Sequence, residues 1–268
     1  MLSLLRADLR RINRPRAGFR GYLVLLLLMI VATVVVFKLV SGLLANTAEG
    51  AGTSLETYDS ATTFLAVTLT SLGVVGALSC WSATSICWID MRNGYDRSII
   101  SSVGKHVYYG EKLLLALVVS AIFMVVGSVF SIILALVMGS LASFGSVVGL
   151  IGWIVVATVV IWSCAALSLT VLWLLRNQVL SYLLGLCLCT GIGSSLVGLA
   201  LSSLPEVAQA WGDLSGWFPK GAFGVVNAVS DSFIALDGES LAHLLVPTAI
   251  CLVVSFAVAN TVLRRRDI

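Results

Sequence analysis

Apolar residues run in six long blocks along this chain, at positions 21–42, 62–89, 113–138, 147–175, 179–204 and 244–263. Each reaches the roughly 20 residues that a helix needs to cross ~30 Å of hydrocarbon. None alternates apolar and polar positions with period two, which argues against a barrel. Runs this long satisfy their own backbone hydrogen bonds in lipid as helices. The expected fold class is all-α integral membrane, with six transmembrane helices in a single domain spanning residues 1–268.

Two stretches have helical periodicity without the length to span. In MLSLLRADLRRINRP, Leu2, Leu5, Leu9 and Ile12 fall on one face and Arg6, Arg10 and Arg11 on the other. Residues 1–20 are expected to hold an amphipathic surface helix at an anionic lipid headgroup layer, ended or bent by Pro15. The alternative is a plain basic tail. The apolar run that follows is too long for a signal peptide and lacks a clean small-residue cleavage site, so this terminus is expected to be retained. Between spans five and six, residues 205–243 place Val207, Trp211, Leu214 and Phe218, then Ala222, Val226, Val229 and Phe233, at helical spacing around the turn FPKG. These predict short outer amphipathic helices, either resting on the surface or re-entering the membrane.

Composition agrees with the pattern. Charged residues make up 11% of the chain and hydrophobic ones 59%, against the roughly one quarter charged in soluble domains. All six cysteines lie in apolar runs, without disulfide or metal-site spacing. The net charge of +3 matters only through its placement. Arginines and lysines precede span one, fill residues 90–112, and follow spans four and six. The other side holds Lys38 and Lys220 with Glu49, Glu56, Asp59, Glu206, Asp213, Asp231, Asp237 and Glu239. The positive-inside rule then predicts a multi-pass cell-membrane protein with both termini cytoplasmic, and nothing points to nucleic acid.

Several activities lack the residues they need. The spans hold no ionisable side chain of the kind an ion-coupled carrier uses, apart from Lys38 near a helix end. The two histidines, His106 and His243, lie at span boundaries, which disfavours an intramembrane protease. Val103-Gly104-Lys105-His106 is the nearest approach to a phosphate loop and lacks its first glycine and its hydroxyl. The chain is not expected to be an enzyme by itself or to bind a cofactor, so any uphill work draws on another polypeptide.

Small residues permit close helix contact in lipid. Ser181, Gly185, Cys189 and Gly193 form a stripe on span five, for packing within the subunit or as a seam between two copies.

The segment DMRNGYDRSIISSVGKH, residues 90–106, interrupts this apolar chain: residues 60–89 and 113–175 carry no charge at all. Residues 98–103 predict a short helix presenting Ile99, Ile100 and Val103 as an apolar knob, bounded by Asn93-Gly94 and Gly104. Such a knob with a charged rim suits a partner's groove; the residues alone slightly favour a solvated loop whose apolar side chains touch the membrane surface.

Six spans, the N-terminal amphipathic helix, the acid–glycine–hydrophobic–basic order in DMRNGYDRSIISSVGKHVYYGEKLL and the ending VLRRRDI together make the whole chain resemble the permease subunit of a type-2 ABC exporter. The resemblance implies a homodimer or heterodimer of permeases on cytoplasmic ABC ATPase subunits, which would hold the ATP and magnesium. It implies that residues 90–112 form a coupling segment, with Asp90, Gly94, Ile99, Ile100, Val103 and Lys105 at the ATPase. It also implies a connecting helix with Arg6, Leu9, Arg10 and Ile12, and an outer gate with Trp211, Trp217, Phe218 and Pro219. Asp90 stands where the family often has glutamate. Uncharged spans suggest an apolar or amphipathic cargo (a lipid-like molecule, a drug or an antimicrobial peptide), along a path for which Thr68, Ser71, Ser79, Ser194 and Ser195 are candidates. The alternative is a non-transporting membrane scaffold or sensor that recruits a cytoplasmic partner, followed by an ATP-independent carrier.

Overall fold

The computed structural model describes residues 2–12, 19–47, 60–70, 73–141, 143–203, 209, 217 and 238–265. Among these the chain is helical and holds no β-strand. In chain order the helices are α1 Leu2–Ile12, α2 Phe19–Thr47, α3 Ala61–Leu65, α4 Val74–Arg92, α5 Tyr95–Val103, α6 Lys105–Val137, α7 Val147–Leu175, α8 Gln178–Thr190, α9 Ile192–Leu201 and α10 Gly238–Arg265. Four of them, α2, α4, α6 and α7, are long and apolar enough to cross a membrane; α8 with the end of α9 forms a bent pair that is a broken fifth span or a re-entrant loop. In α10, which contains Pro247, the apolar stretch is the shorter Ala242–Val258.

The bundle is built around α7, which touches α4, α6, α8 and α10, while α2 lies against α4 and α6. Its centre is close-packed. Ala116, Val119, Phe123, Trp153, Ala157 and Ile161 are fully buried, and Phe19 of α2 meets Phe123 of α6 edge-on at 5.7 Å between centroids. Small polar side chains fasten the interior. Ser79 and Ser120 bond across α4 and α6 at 2.9 Å, and the Trp162 indole donates to the Leu113 carbonyl at 2.8 Å. Lys38 of α2 donates to the Met138 carbonyl at 2.9 Å, satisfying an orphan acceptor at the C-terminus of α6.

Two of the six apolar blocks are interrupted where a single straight helix was expected. In block 62–89, α3 runs into a π-helical turn, Ala66–Thr70, before α4 restarts at Val74. Thr68 and Thr70 donate their hydroxyls back to the Phe64 and Ala66 carbonyls at 2.9 and 3.0 Å, the side-chain competition that loosens a helical ladder. Gly73 then turns with φ +65°. In block 179–204 the break falls at Gly191, φ +72°, and the flanking segments are bent by 78°. The two breaks sit together: a Cβ on Gly73 would strike the Cys189 carbonyl and come within 2.9 Å of the Thr190 Cα.

Candidate functional site

The end of the bundle that carries α5 holds the strongest electrostatics among the described residues. Asp90 lies in the last turn of α4, and the chain then turns through Asn93 and Gly94 into α5. Gly94 has φ +69° and Gly104, at the far end of α5, has φ +87°. At both positions a Cβ would meet open space, so what requires glycine is the backbone angle rather than crowding. The two glycines let a nine-residue helix fold between two long ones.

The first turns of α6 bring four side chains inward: Tyr108, Tyr109, Glu111 and Lys112. Lys112 is 1% exposed. Its ammonium donates to Asp90 Oδ2 at 2.7 Å and to Asp8 Oδ2 of α1. Glu111 Oε2 stands 3.7 Å away, and the Tyr108 ring centroid lies 5.3 Å from Nζ, a cation–π contact in a desolvated setting. One ammonium thus joins α1, α4 and α6. Burying it is tolerable only because carboxylates surround it.

Among the described residues of α1, Asp8 is buried and Leu5 packs on the main core. Arg6 and Arg10 are exposed, and Leu9 is 37% exposed on the protein. Of the apolar stripe, Leu5 thus faces the protein and Leu9 faces outward, while the side chain of Leu2 lies outside the described residues. The side chain of Ile12 lies outside the described residues.

In α5 the expected apolar knob is rotated. Ile99 and Ile100 are half-buried and pack against the core, and Asp96 is buried, because α5 lies across the ends of α4 and α6 and turns that face toward them. The outward apolar groups are Tyr95, 49% exposed, and Val103, 40% exposed. Between them Ser98, Ser101 and Ser102 are exposed, each donating to the carbonyl three residues back. Lys105 opens α6 at the edge of this surface.

The span-five stripe is filled from within the subunit. Ser181 donates to the Ser168 carbonyl at 2.6 Å and lies 3.2 Å from the Thr84 hydroxyl. A Cβ on Gly185 already sits where Cys80 Cβ is 2.8 Å and Ser168 Oγ 3.0 Å away from it if built. Cys189 Sγ is 3.9 Å from Cys80 Sγ. Ser181, Gly185 and Cys189 face α4 and α7 within the subunit; the surroundings of Gly193 lie outside the described residues.

Of the outer-gate residues, Trp217 stacks on His243 with centroids 4.0 Å apart, while Trp211, Phe218 and Pro219 lie outside the described residues, as does most of 205–243. Of the path candidates, Thr68 and Ser79 are buried with their hydroxyls engaged inside the bundle, and Ser195 is exposed and bonds the Gly191 carbonyl. Ser71 and the side chain of Ser194 lie outside the described residues.

No protein-family model, curated protein or solved structure matches this chain. The reading of the site therefore stands on its geometry.

Sequence reasoning missed the cluster that organises this end of the bundle. Asp8 and Lys112 are 104 positions apart, beyond any local pattern. One signal was present: an acid inside an arginine-rich helix, and a lysine immediately before an apolar span. A second polar knot was also missed. The Tyr22 and Tyr182 hydroxyls meet at 3.2 Å, Gln178 donates to Tyr182, and the Trp81 indole donates to the Tyr182 carbonyl at 2.9 Å. It ties α2, α4 and α8. Among the described residues no group of His, Cys, Asp or Glu is arranged to hold a metal ion.

Proposed function

We propose that this chain is the membrane-embedded permease of an ATP-driven exporter, and that α5 is the helix through which a separate ATPase subunit drives it. In this reading six spans cross the membrane, α10 being the sixth. Both termini and α5 are cytoplasmic, and α1 lies along the inner surface with Arg6 and Arg10 toward anionic headgroups and Leu9 toward lipid. Two permeases, alike or different, pair above two ATPases that hold ATP and magnesium. The cargo is apolar or amphipathic, since the apolar blocks carry no charge apart from Lys38.

The observation that carries the proposal is the mounting of α5. It is a short helix set between two glycine turns, presenting Tyr95 and Val103 outward. Behind it Lys112 joins the bases of α4, α6 and α1. A push on a helix mounted in this way reaches several spans at once, instead of being absorbed by a loop. The charge distribution supports the same orientation, because the basic segments fall on the α5 side.

The test is affinity purification of the tagged chain from its native membranes, with variants Tyr95→Asp and Val103→Asp. The expected result is a Walker-type ATPase in stoichiometric amount, lost from both variants although they insert normally, with cargo-dependent ATPase activity in the wild type. A partner that binds without any change in its ATPase activity would make the chain a scaffold or sensor. Transport by the purified chain alone would make it an independent carrier.

A further inference from the structure

The Lys112 cluster contains more acid than its ammonium engages. Asp8 and Asp90 take direct hydrogen bonds from Nζ, whereas the nearer oxygen of Glu111 stands at 3.7 Å and its other oxygen, Oε1, is buried without a hydrogen-bond partner. Glu111 is only 1% exposed, so bulk solvent does not reach it. A carboxylate in that position would carry a buried charge with an orphan lone pair, a costly arrangement.

We infer that Glu111 holds a proton when α1 is docked, and that loss of this proton to water loosens α1 from the base of the spans. Glu111 precedes the apolar span: α6 has 33 residues, about 50 Å of helix at ~1.5 Å per residue against ~30 Å of hydrocarbon, so its charged first turns project beyond. The groups around Glu111 are Asp8 from α1, Asp90 and Cys87 from α4, and Lys112 from α6, with Tyr108 of α6 and Asp96 of α5 placed around the same ammonium and Asp90. Burial pushes the Glu111 carboxyl up to about 7; the Lys112 ammonium opposes this, and Asp8 and Asp90 reinforce it. With the acid raised in the docked state, docking is strongest below the acid's ordinary range and is lost as pH rises through about 7. Deprotonation sets Glu111 against Asp8, the residue by which α1 is held. The inference does not rest on the exporter reading, and no ATPase enters its test.

The test uses the full chain in lipid nanodiscs, wild type and Glu111→Gln, at about pH 6 and about pH 8.5, across which the linkage predicts roughly a tenfold change in docking. Hydrogen exchange of residues 2–12, corrected for the pH dependence of intrinsic exchange, reads docking. Infrared difference spectroscopy reads the protonated carboxyl. Wild-type protection should fall by about tenfold at the higher pH, while the glutamine variant, neutral throughout, keeps its protection. A protonated-carboxyl band should be present in the wild type at the lower pH, vanish at the higher, and be missing from the variant. Constant wild-type protection, an equal loss in the variant, or no such band at the lower pH would each overturn the inference. Should the variant fail to fold, the wild-type band decides alone.

Discussion

Asp90 ends one long helix and Lys112 stands eight positions into the next, 22 residues later, yet their charged atoms are 2.7 Å apart. The pair closes the base of the excursion that α5 makes. Because Lys112 also holds Asp8 of α1, removing the ammonium leaves two carboxylates buried and unmatched by it. Lys112→Met should therefore destabilise the chain by roughly 3–5 kcal/mol and release α1. Thermal unfolding in detergent checks the first effect, and protease sensitivity of residues 2–12 checks the second. Adding Asp8→Asn and Asp90→Asn to that variant should recover much of the loss, since the stranded charges go with it.

Ile99 and Ile100 pack inward, so their replacement is a matter of fold before it is one of docking. Ile99→Ala should cost about 2 kcal/mol, toward the low end for a core isoleucine because the residue is only half-buried. Ser101→Ala, at an exposed position, should lie within about 0.5 kcal/mol of wild type. Equal thermal stability of the two variants would place Ile99 on the outer face after all.

Gly73 and Gly94 share a left-handed backbone but not their surroundings. Gly94→Ala meets open space and should cost only the backbone strain, about 1–2 kcal/mol. Gly73→Ala adds a collision with the backbone at Cys189 and Thr190, and should lose several times as much or fail to accumulate. Comparing the melting temperatures of the two variants tests whether the breaks in the second and fifth apolar blocks abut.

Gly185→Leu separates packing from pairing. The new side chain has Cys80 and Ser168 in its way, so the isolated subunit should lose about 1–3 kcal/mol or more through overpacking. A loss of crosslinked dimer with undiminished subunit stability would return this face to a seam between copies.

Much of the architecture is legible in the sequence because lipid imposes one crude rule, that long apolar runs become helices. The blocks at 113–138 and 147–175 emerge as α6 and α7 for that reason. The interruptions at Gly73 and Gly191 were not legible. Glycines occur throughout the spans, and only the approach of α8 to Gly73 makes that one a break. The orientation of α5 was hidden as well: Ile99 and Ile100 form an apolar stripe whether they face a partner or their own subunit, and only the placement of α4 and α6 decides. The Lys112 cluster escaped for a third reason, since its partners come from three distant parts of the chain.

The separation of Asp8 from its partner has a consequence for how the molecule is made. Chains emerge N-terminus first, so Asp8 leaves the ribosome 104 positions ahead of Lys112. During that interval its carboxylate waits in water, on a helix otherwise rich in arginine. Both the first and second apolar blocks, residues 21–42 and 62–89, leave the ribosome before the ammonium does. The ion cluster thus cannot direct the insertion of the early spans. It closes after them, as a final inspection that those helices have come to rest side by side with the right ends together.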